Sequence, residues 1–105
     1  MNVRFRSEPE ASAELDEAVR WYEDQRPGLG GEFLEAIDTA LSKIGRWPRI
    51  GSQVPDLRAG LPVRRVPVPR FPYHIVYLET PEAIRILAFA HDRRLPGYWL
   101  SRRTQ

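Results

Sequence analysis

The sequence predicts an α+β domain in which a helical hairpin packs on one face of a small antiparallel sheet, in the order β-α-α-β-β-β. Two amphipathic segments with helical periodicity lie between residues 8 and 46. Three short runs rich in β-branched and aromatic residues follow between residues 63 and 90. The length of 105 residues is enough for one hydrophobic core and too short for two, so we expect a single domain over residues 1–105.

The first strand and the first helix are predicted near the N-terminus. Residues 3–6 alternate apolar and basic side chains, as a short half-buried strand does. Ser7 followed by Glu10 is a capping-box pattern and Pro9 suits a first helical turn, so a helix should begin near Glu8. Its apolar residues recur at three- and four-residue steps and leave Glu14 on another face. These apolar residues are Leu15, Ala18, Val19 and Tyr22.

A second helix is predicted from Glu32 to about Arg46, after a turn at residues 26–31. Proline disfavours helix at the residue before it, and the glycines of the turn permit a tight reversal. The apolar stripe of the second helix faces that of the first across the turn, so the two helices form a hairpin. This stripe consists of Phe33, Ile37, Leu41 and Ile44.

Three consecutive antiparallel strands are predicted after a loop at residues 47–62. They occupy residues 63–68, 73–79 and 84–90, separated by short segments that contain proline. Helices on one face of this sheet would leave its other face for a ligand or a partner.

The last strand and the tail carry further expectations. Strict alternation would place Arg85, Leu87, Phe89 and His91 on one side of the strand, and Ile84, Ile86, Ala88 and Ala90 on the other. Residues 92–105 are expected to form a short helix or a partly disordered segment, anchored to the core by its two aromatic residues, Tyr98 and Trp99.

The composition excludes several classes of protein and site. The chain contains no cysteine, which rules out disulfides, thiolate nucleophiles and cysteine-based zinc sites. No apolar stretch approaches the roughly 20 residues that cross a bilayer, and the first residues lack the apolar run of a signal peptide. We therefore expect a cytoplasmic protein with no membrane partner.

Charge is distributed unevenly along the chain. The net charge is +2, but residues 1–47 contain 6 basic and 10 acidic residues, and residues 48–105 contain 10 basic and 4 acidic residues. This asymmetry indicates either a positive face directed at nucleic acid or an acidic partner, or a solvated surface rich in arginine.

Signatures of common small-molecule enzymes are missing from the sequence. There is no glycine-rich phosphate loop and no nucleophile elbow. His74 and His91 lie 17 positions apart without a suitably spaced carboxylate, so each is interpreted as a core or surface residue. We expect no metal site and no cofactor.

Basic, aromatic and acid–base side chains are concentrated near the ends of the predicted strands. Arginines there would hold a phosphate, and a histidine or tyrosine could move a proton during attack of a ribose 2′-hydroxyl, as in a metal-independent ribonuclease. The alternative, which spacing alone favours, is an exposed basic rim that binds an acidic protein segment. The residues concerned are Arg64, Arg65, Arg70, His91, Asp92, Arg93, Arg94 and Tyr98.

Five motifs, in this order and spacing, resemble the RelE/ParE superfamily of toxins from type II toxin–antitoxin systems. They are Trp-Tyr-Glu at 21–23, Arg-Pro-Gly-Leu-Gly at 26–30, residues 33–38, Phe-Pro-Tyr-His-Ile-Val-Tyr at 71–77, and residues 86–99 with Ala-His-Asp-Arg-Arg at their centre. The likeness spans nearly the whole chain. It implies a growth-inhibiting toxin of a plasmid-stabilization module, held inactive by a cognate antitoxin whose flexible segment wraps the helices and the sheet.

The resemblance leaves the cellular target open between two branches. One branch cleaves messenger RNA in the ribosome, and by similarity Arg70 would bind the phosphate, His91 would act as base or acid, and Tyr98 would orient or protonate. The other branch inhibits DNA gyrase and has no established nuclease site. In either case Arg64, Arg65, Arg93 and Arg94 are the candidate binding residues.

Four features of the sequence favour the gyrase-directed branch. The lysine-rich patch typical of ribosome-dependent members is absent, and a net charge of +2 is low for docking on ribosomal RNA. The length of the helical hairpin and the residues of the motifs are also closer to those of the gyrase-directed members. A third alternative is a protein of the same fold that has lost toxicity and serves as a binding module.

Overall fold

The computed structural model describes residues 4–54 and 62–104. The order of elements confirms the expected β-α-α-β-β-β layout and adds a two-residue strand after the hairpin and a 3₁₀ helix in the tail. The elements are β1 (Phe5–Ser7), α1 (Pro9–Gln25), α2 (Leu29–Arg46), β2 (Ser52–Gln53), β3 (Val63–Pro67), β4 (Tyr73–Glu79), β5 (Ile84–His91) and the 3₁₀ helix η1 (Leu100–Thr104). The part of the first predicted strand at residue 3 lies outside the described residues.

Both helices begin differently from the sequence-based expectation. Glu8 is the N-cap of α1 and makes no side-chain capping bond, so the predicted capping box is not formed, although Pro9 does occupy the first turn. α2 begins three residues early, at Leu29, because Glu23 caps it: Oε1 of Glu23 accepts the backbone N–H groups of Gly28 at 3.1 Å and Gly30 at 3.0 Å. The positive end of the helix dipole also stabilises a carboxylate at this position.

The strands form one five-stranded sheet in the order β1-β5-β4-β3-β2. β2 to β5 are antiparallel neighbours, whereas β1 pairs with β5 in parallel, so the sheet is mixed. Parallel strands need a long connection between them. Here the helical hairpin and β2 to β4 form the connection from β1 to β5. Within the described residues, neither helix combines the length and the apolar composition of a membrane span.

The main core lies between the helical hairpin and the sheet. Its aromatic part joins Tyr22 of α1 and Phe33 of α2 to Phe71 and Tyr73 at the start of β4, with ring centroids 5.0 to 6.2 Å apart. Most of these ring pairs meet edge to face, the geometry that aromatic quadrupoles favour. This packing holds the β3–β4 turn in place against the hairpin.

The sheet face opposite the helices was expected to be open for a ligand or a partner, and this expectation was wrong. This face carries a second cluster, and Trp99 from the tail packs into it with 3% of its surface exposed. The prediction that the tail is anchored to the core by an aromatic residue is therefore confirmed. The buried members of this cluster are Val63, Val76, Leu78, Leu87, Ala88, Ala90 and Trp99.

A bulge in β5 breaks the strict alternation that the sequence predicted. Tyr77 pairs with Ile86 and Val76 pairs with Ala88, so Leu87 is an extra residue without an opposite partner. Leu87 and Ala88 consequently both pack in the second cluster. Phe89 stays on the helix side with Ile86, and the expectation that separated them was wrong.

Candidate functional site

The turn before β4 and the end of β5, which carry Arg70 and His91, meet at one end of the sheet. Tyr73 at the start of β4 pairs with His91 at the end of β5, and the N–H of Asp92 donates to the carbonyl of Pro72 at 2.9 Å. The turn that contains Arg70 therefore lies beside the segment that follows β5. Arg70 is exposed and has a left-handed backbone with φ of 69°, an uncommon conformation for a residue with a side chain.

His91 is half-buried beside α1. Its ring lies edge to face with Tyr73, with centroids 5.1 Å apart, and its Nδ1 accepts the backbone N–H of Arg93 at 3.0 Å. In the neutral ring this hydrogen bond places the proton on Nε2. His91 lines an open cavity between α1 and the sheet together with Trp21, Phe89, Tyr98 and other residues. Arg70 does not line this cavity.

Tyr98 enters the same cavity, but its hydroxyl is engaged with Glu14 of α1. The hydroxyl donates to Oε2 of Glu14 at 2.6 Å, and the guanidinium of Arg94 lies 3.9 Å from the centre of the Tyr98 ring. Burial raises the pKa of Tyr98 well above its usual range, and the hydrogen bond to the Glu14 carboxylate raises it further. Tyr98 thus keeps its proton and ties the tail to α1.

Glu14 is the centre of a network that sequence reasoning missed. Its Oε1 accepts the backbone N–H of Phe89 at 3.2 Å and Nη1 of Arg102 at 3.0 Å. Arg102 also donates to the carbonyl of Leu87 at 3.0 Å, so the tail is pinned to the bulge in β5. Glu14 was expected on a face away from the core, and no local signal marks it, because its partners lie more than 70 positions away in the sequence.

The four predicted binding arginines do not form one cluster. Arg64 is half-buried and donates to the carbonyls of Arg49 at 3.2 Å and Gly51 at 2.8 Å, so it holds the segment before β2. Arg65 follows Arg64 on β3 and lies on the opposite face of the sheet, where it is exposed. Arg93 and Arg94 are exposed after β5.

His74 has an acidic partner that the sequence analysis did not find. Its Nδ1 lies 2.9 Å from Oδ1 of Asp92, which is 18 positions later in the chain. Sequence spacing did not reveal the pair because β4 and β5 bring it together. His74 and Asp92 line an open cavity with Ser52, Arg65 and Pro67 on the face opposite the helices. Among the described residues, no three histidine, aspartate or glutamate side chains are grouped to hold a metal ion.

Comparison with known proteins supports this architecture. The family model described as ParE toxin of type II toxin–antitoxin system, parDE, matches residues 5–96. The chain belongs to the ParE toxin family. The match covers the helical hairpin, the sheet and His91, and it ends before Tyr98.

A solved structure shares the fold of this ParE-family chain. It is described as the chromosomal ParDE TA system from P. aeruginosa and aligns with a TM-score of 0.69 at 19% sequence identity. The alignment covers 85% of this chain and 95% of that one. A comparison with curated proteins finds no match.

In this ParE-family chain, the turn before β4 and the segment after β5 carry the exposed side chains of Arg70, Arg93 and Arg94 and the half-buried aromatic rings of Phe71, Tyr73 and Tyr98. Arginine and aromatic side chains there suit the binding of an acidic or polyanionic partner. The same part of the structure offers few groups that could transfer a proton. Tyr98 is held protonated, and Arg70 does not line the cavity that contains His91.

Proposed function

We propose that this chain is the toxin of a type II toxin–antitoxin module and that it inhibits DNA gyrase by binding to it, without a catalytic site of its own. The observation that carries the proposal is the hydrogen bond from Tyr98 to Glu14. A general acid works best with a pKa near the operating pH, and the raised pKa of Tyr98 is far from neutrality. The tyrosine that a ribonuclease would use is thus committed to holding the tail.

The cognate antitoxin is proposed as the partner that keeps the toxin inactive in the cytoplasm. Support comes from the toxin–antitoxin family of the chain and from the toxin–antitoxin system named for the similar structure. Exposed apolar side chains on α1, after α2 and after β5 suit the wrapping segment of such a partner. They include Trp21, Trp47, Ile50 and Leu95. Release of the toxin would arrest growth, which is how such modules maintain plasmids.

Ribosome-dependent cleavage of messenger RNA is a second candidate. His91 favours it, because the bond from the Arg93 N–H orients the ring and leaves Nε2 directed away from this contact. Trp21 and Tyr73 beside His91 also offer aromatic surfaces for a nucleobase. On this alternative Arg70, His91 and Tyr98 would be the catalytic set. A non-toxic binding module on the same fold is the third candidate.

Expression in a bacterial host without antitoxin tests these candidates. DNA synthesis and protein synthesis are followed separately by pulse labelling, and the purified protein is assayed for inhibition of gyrase supercoiling. We expect replication to stop first and supercoiling to be inhibited. Early loss of translation with cut messages, abolished by His91→Gln but not by Arg20→Gln on the exposed side of α1, would establish cleavage instead. Normal growth with folded protein would indicate the non-toxic module.

A further inference from the structure

The sheet face opposite the helices carries a polar cavity built by neighbouring strands. Ser52 of β2 pairs with Arg65 of β3, and Arg65 pairs with Val76 of β4. His74 lies two residues before Val76, so it is on the same face and diagonal to Arg65. Diagonal neighbours on a sheet are about 7–8 Å apart, within reach of an arginine side chain. Ser52, Arg65 and His74 line one open cavity.

The ring of His74 is held in a defined orientation. It is mostly buried, with 19% of its side chain exposed, and its Nδ1 donates to Oδ1 of Asp92 at 2.9 Å. No hydrogen bond within the described part of the chain engages its Nε2. When the ring is protonated, Nε2–H becomes a donor that an anion can use. Asp92 is thus a positioning residue for the imidazole.

Cations outnumber carboxylates around this cavity. Arg65, His74 and Asp92 also line an adjoining cavity, and Arg94, whose guanidinium lies over the Tyr98 ring, is a further lining residue. Asp92 is the one carboxylate among the described residues that line either cavity, and it is hydrogen-bonded to His74. The surroundings therefore favour an anion. Beyond the charged groups the adjoining cavity is mainly apolar, with walls that include Val54, Val76, Ala90, Leu95 and Trp99.

We propose that Arg65, His74 and Ser52 bind a phosphate group on the sheet face opposite the helices. A guanidinium can donate two parallel bonds to phosphate oxygens, and the hydroxyl and the imidazole offer further donors for the remaining oxygens. The phosphate belongs either to a mononucleotide, whose base would enter the apolar part of the adjoining cavity, or to a nucleic-acid backbone. The proposal is independent of whether gyrase is the target.

The histidine rings offer a direct readout, because the chain contains only two histidines. Nitrogen-15 NMR of the rings is recorded during titration with inorganic phosphate, AMP and a short single-stranded oligonucleotide. Spectra of His74→Gln assign the two signals. We expect saturable shifts at His74 and none at His91.

Variants distinguish phosphate binding at this site from nonspecific electrostatic attraction of anions to the protein. Arg65→Gln should weaken phosphate binding roughly tenfold or more, because it removes a bidentate charged donor. Arg20→Gln removes the same charge from the exposed surface of α1 and should change the affinity less than about twofold, since screening by salt limits distant charges. Asp92→Ala removes a negative charge, so general electrostatics predicts tighter binding, whereas loss of ring positioning predicts weaker binding.

Each outcome bears on the proposal. Tighter binding of AMP than of phosphate, without a further gain for the oligonucleotide, identifies a mononucleotide site. Tighter binding of the oligonucleotide, falling steeply with salt, identifies a backbone site. Absence of a shift at His74, an equal effect of the two arginine variants, or tighter binding by Asp92→Ala would each overturn the proposal. Gyrase inhibition that persists in Arg65→Gln leaves the proposed function intact.

Discussion

The hydroxyl of Tyr98 donates a hydrogen bond of 2.6 Å to Glu14, a residue 84 positions earlier in the chain. This contact joins the tail to α1, and the same carboxylate accepts Arg102 and the backbone of Phe89. The stability of the tail and the interpretation of the site therefore both depend on Glu14.

Replacing Glu14 by alanine should lower the free energy of unfolding by roughly 2–4 kcal/mol, because the largely buried guanidinium of Arg102 loses its counter-ion and the Tyr98 hydroxyl and the Phe89 N–H lose their acceptor. The side chains of Arg102 and Glu14 are only 13% and 16% exposed. Urea unfolding measures the loss. Glu17→Ala, an exposed change on the same helix, should stay within about 0.5 kcal/mol. Equal losses in the two variants would contradict the structural role of Glu14.

Tyr98→Phe distinguishes a structural hydroxyl from a catalytic one. The variant loses one hydrogen bond and should be destabilised by about 1–2 kcal/mol while remaining folded. We expect growth arrest on expression to persist, because binding to a target does not require this proton. Circular dichroism confirms folding and colony counts measure toxicity. Loss of toxicity by the folded variant would favour messenger RNA cleavage.

The tyrosines should make the protein less stable at high pH. Burial raises the pKa values of all four tyrosines, Tyr22, Tyr73, Tyr77 and Tyr98, above the ordinary value of 10.0. A raised pKa in the folded state means that stability is fully present below about pH 10 and is lost as the pH rises through the folded values. Near-ultraviolet absorbance should show little tyrosinate until the protein unfolds. Four tyrosines titrating near pH 10 in the folded protein would refute this.

Gly30 lets the two helices approach closely. A Cβ atom at this position would lie 2.9 Å from the backbone carbonyl oxygen of Val19, so Gly30→Ala should destabilise by about 1–3 kcal/mol. At Gly31, the next residue of α2, a Cβ would meet nothing within 4 Å. Gly31→Ala should therefore be neutral or stabilise by up to about 1 kcal/mol through helix propensity. Thermal unfolding of the pair compares them, and equal shifts would argue against close helix contact at Gly30.

Much of the fold was predictable because its signals are local. The periodicity of Leu15, Ala18 and Tyr22 marks α1, and β-branched and aromatic runs mark β3 to β5 within a few residues of their observed bounds. The start of α2 was placed too late, because Glu23 supplies its cap from the preceding helix. β2 was not predicted, since a strand of two residues carries no pattern.

The candidate site was predictable only as a set of strand ends. Sequence order indicated that Arg70 and His91 would come to one end of the sheet, and the pairing of Tyr73 with His91 places the turn and the strand end side by side. Sequence could not show that Tyr98 is bonded to Glu14 or that His74 is bonded to Asp92, because these partners lie 84 and 18 positions apart and meet only in the folded protein.

The sequence by itself determined the helical hairpin, the three long strands and the toxin family, because each depends on the order and spacing of nearby residues. The tertiary structure alone decided the parallel pairing of β1 and the bulge at Leu87. It also decided that Arg64 binds backbone carbonyls while Arg65 is exposed, and it set the partners of Glu14 and His74. These depend on register and on contacts between distant segments. A shift of one residue along a strand exchanges the two faces of the sheet, and local sequence patterns do not specify that choice where the strand is buried on both sides.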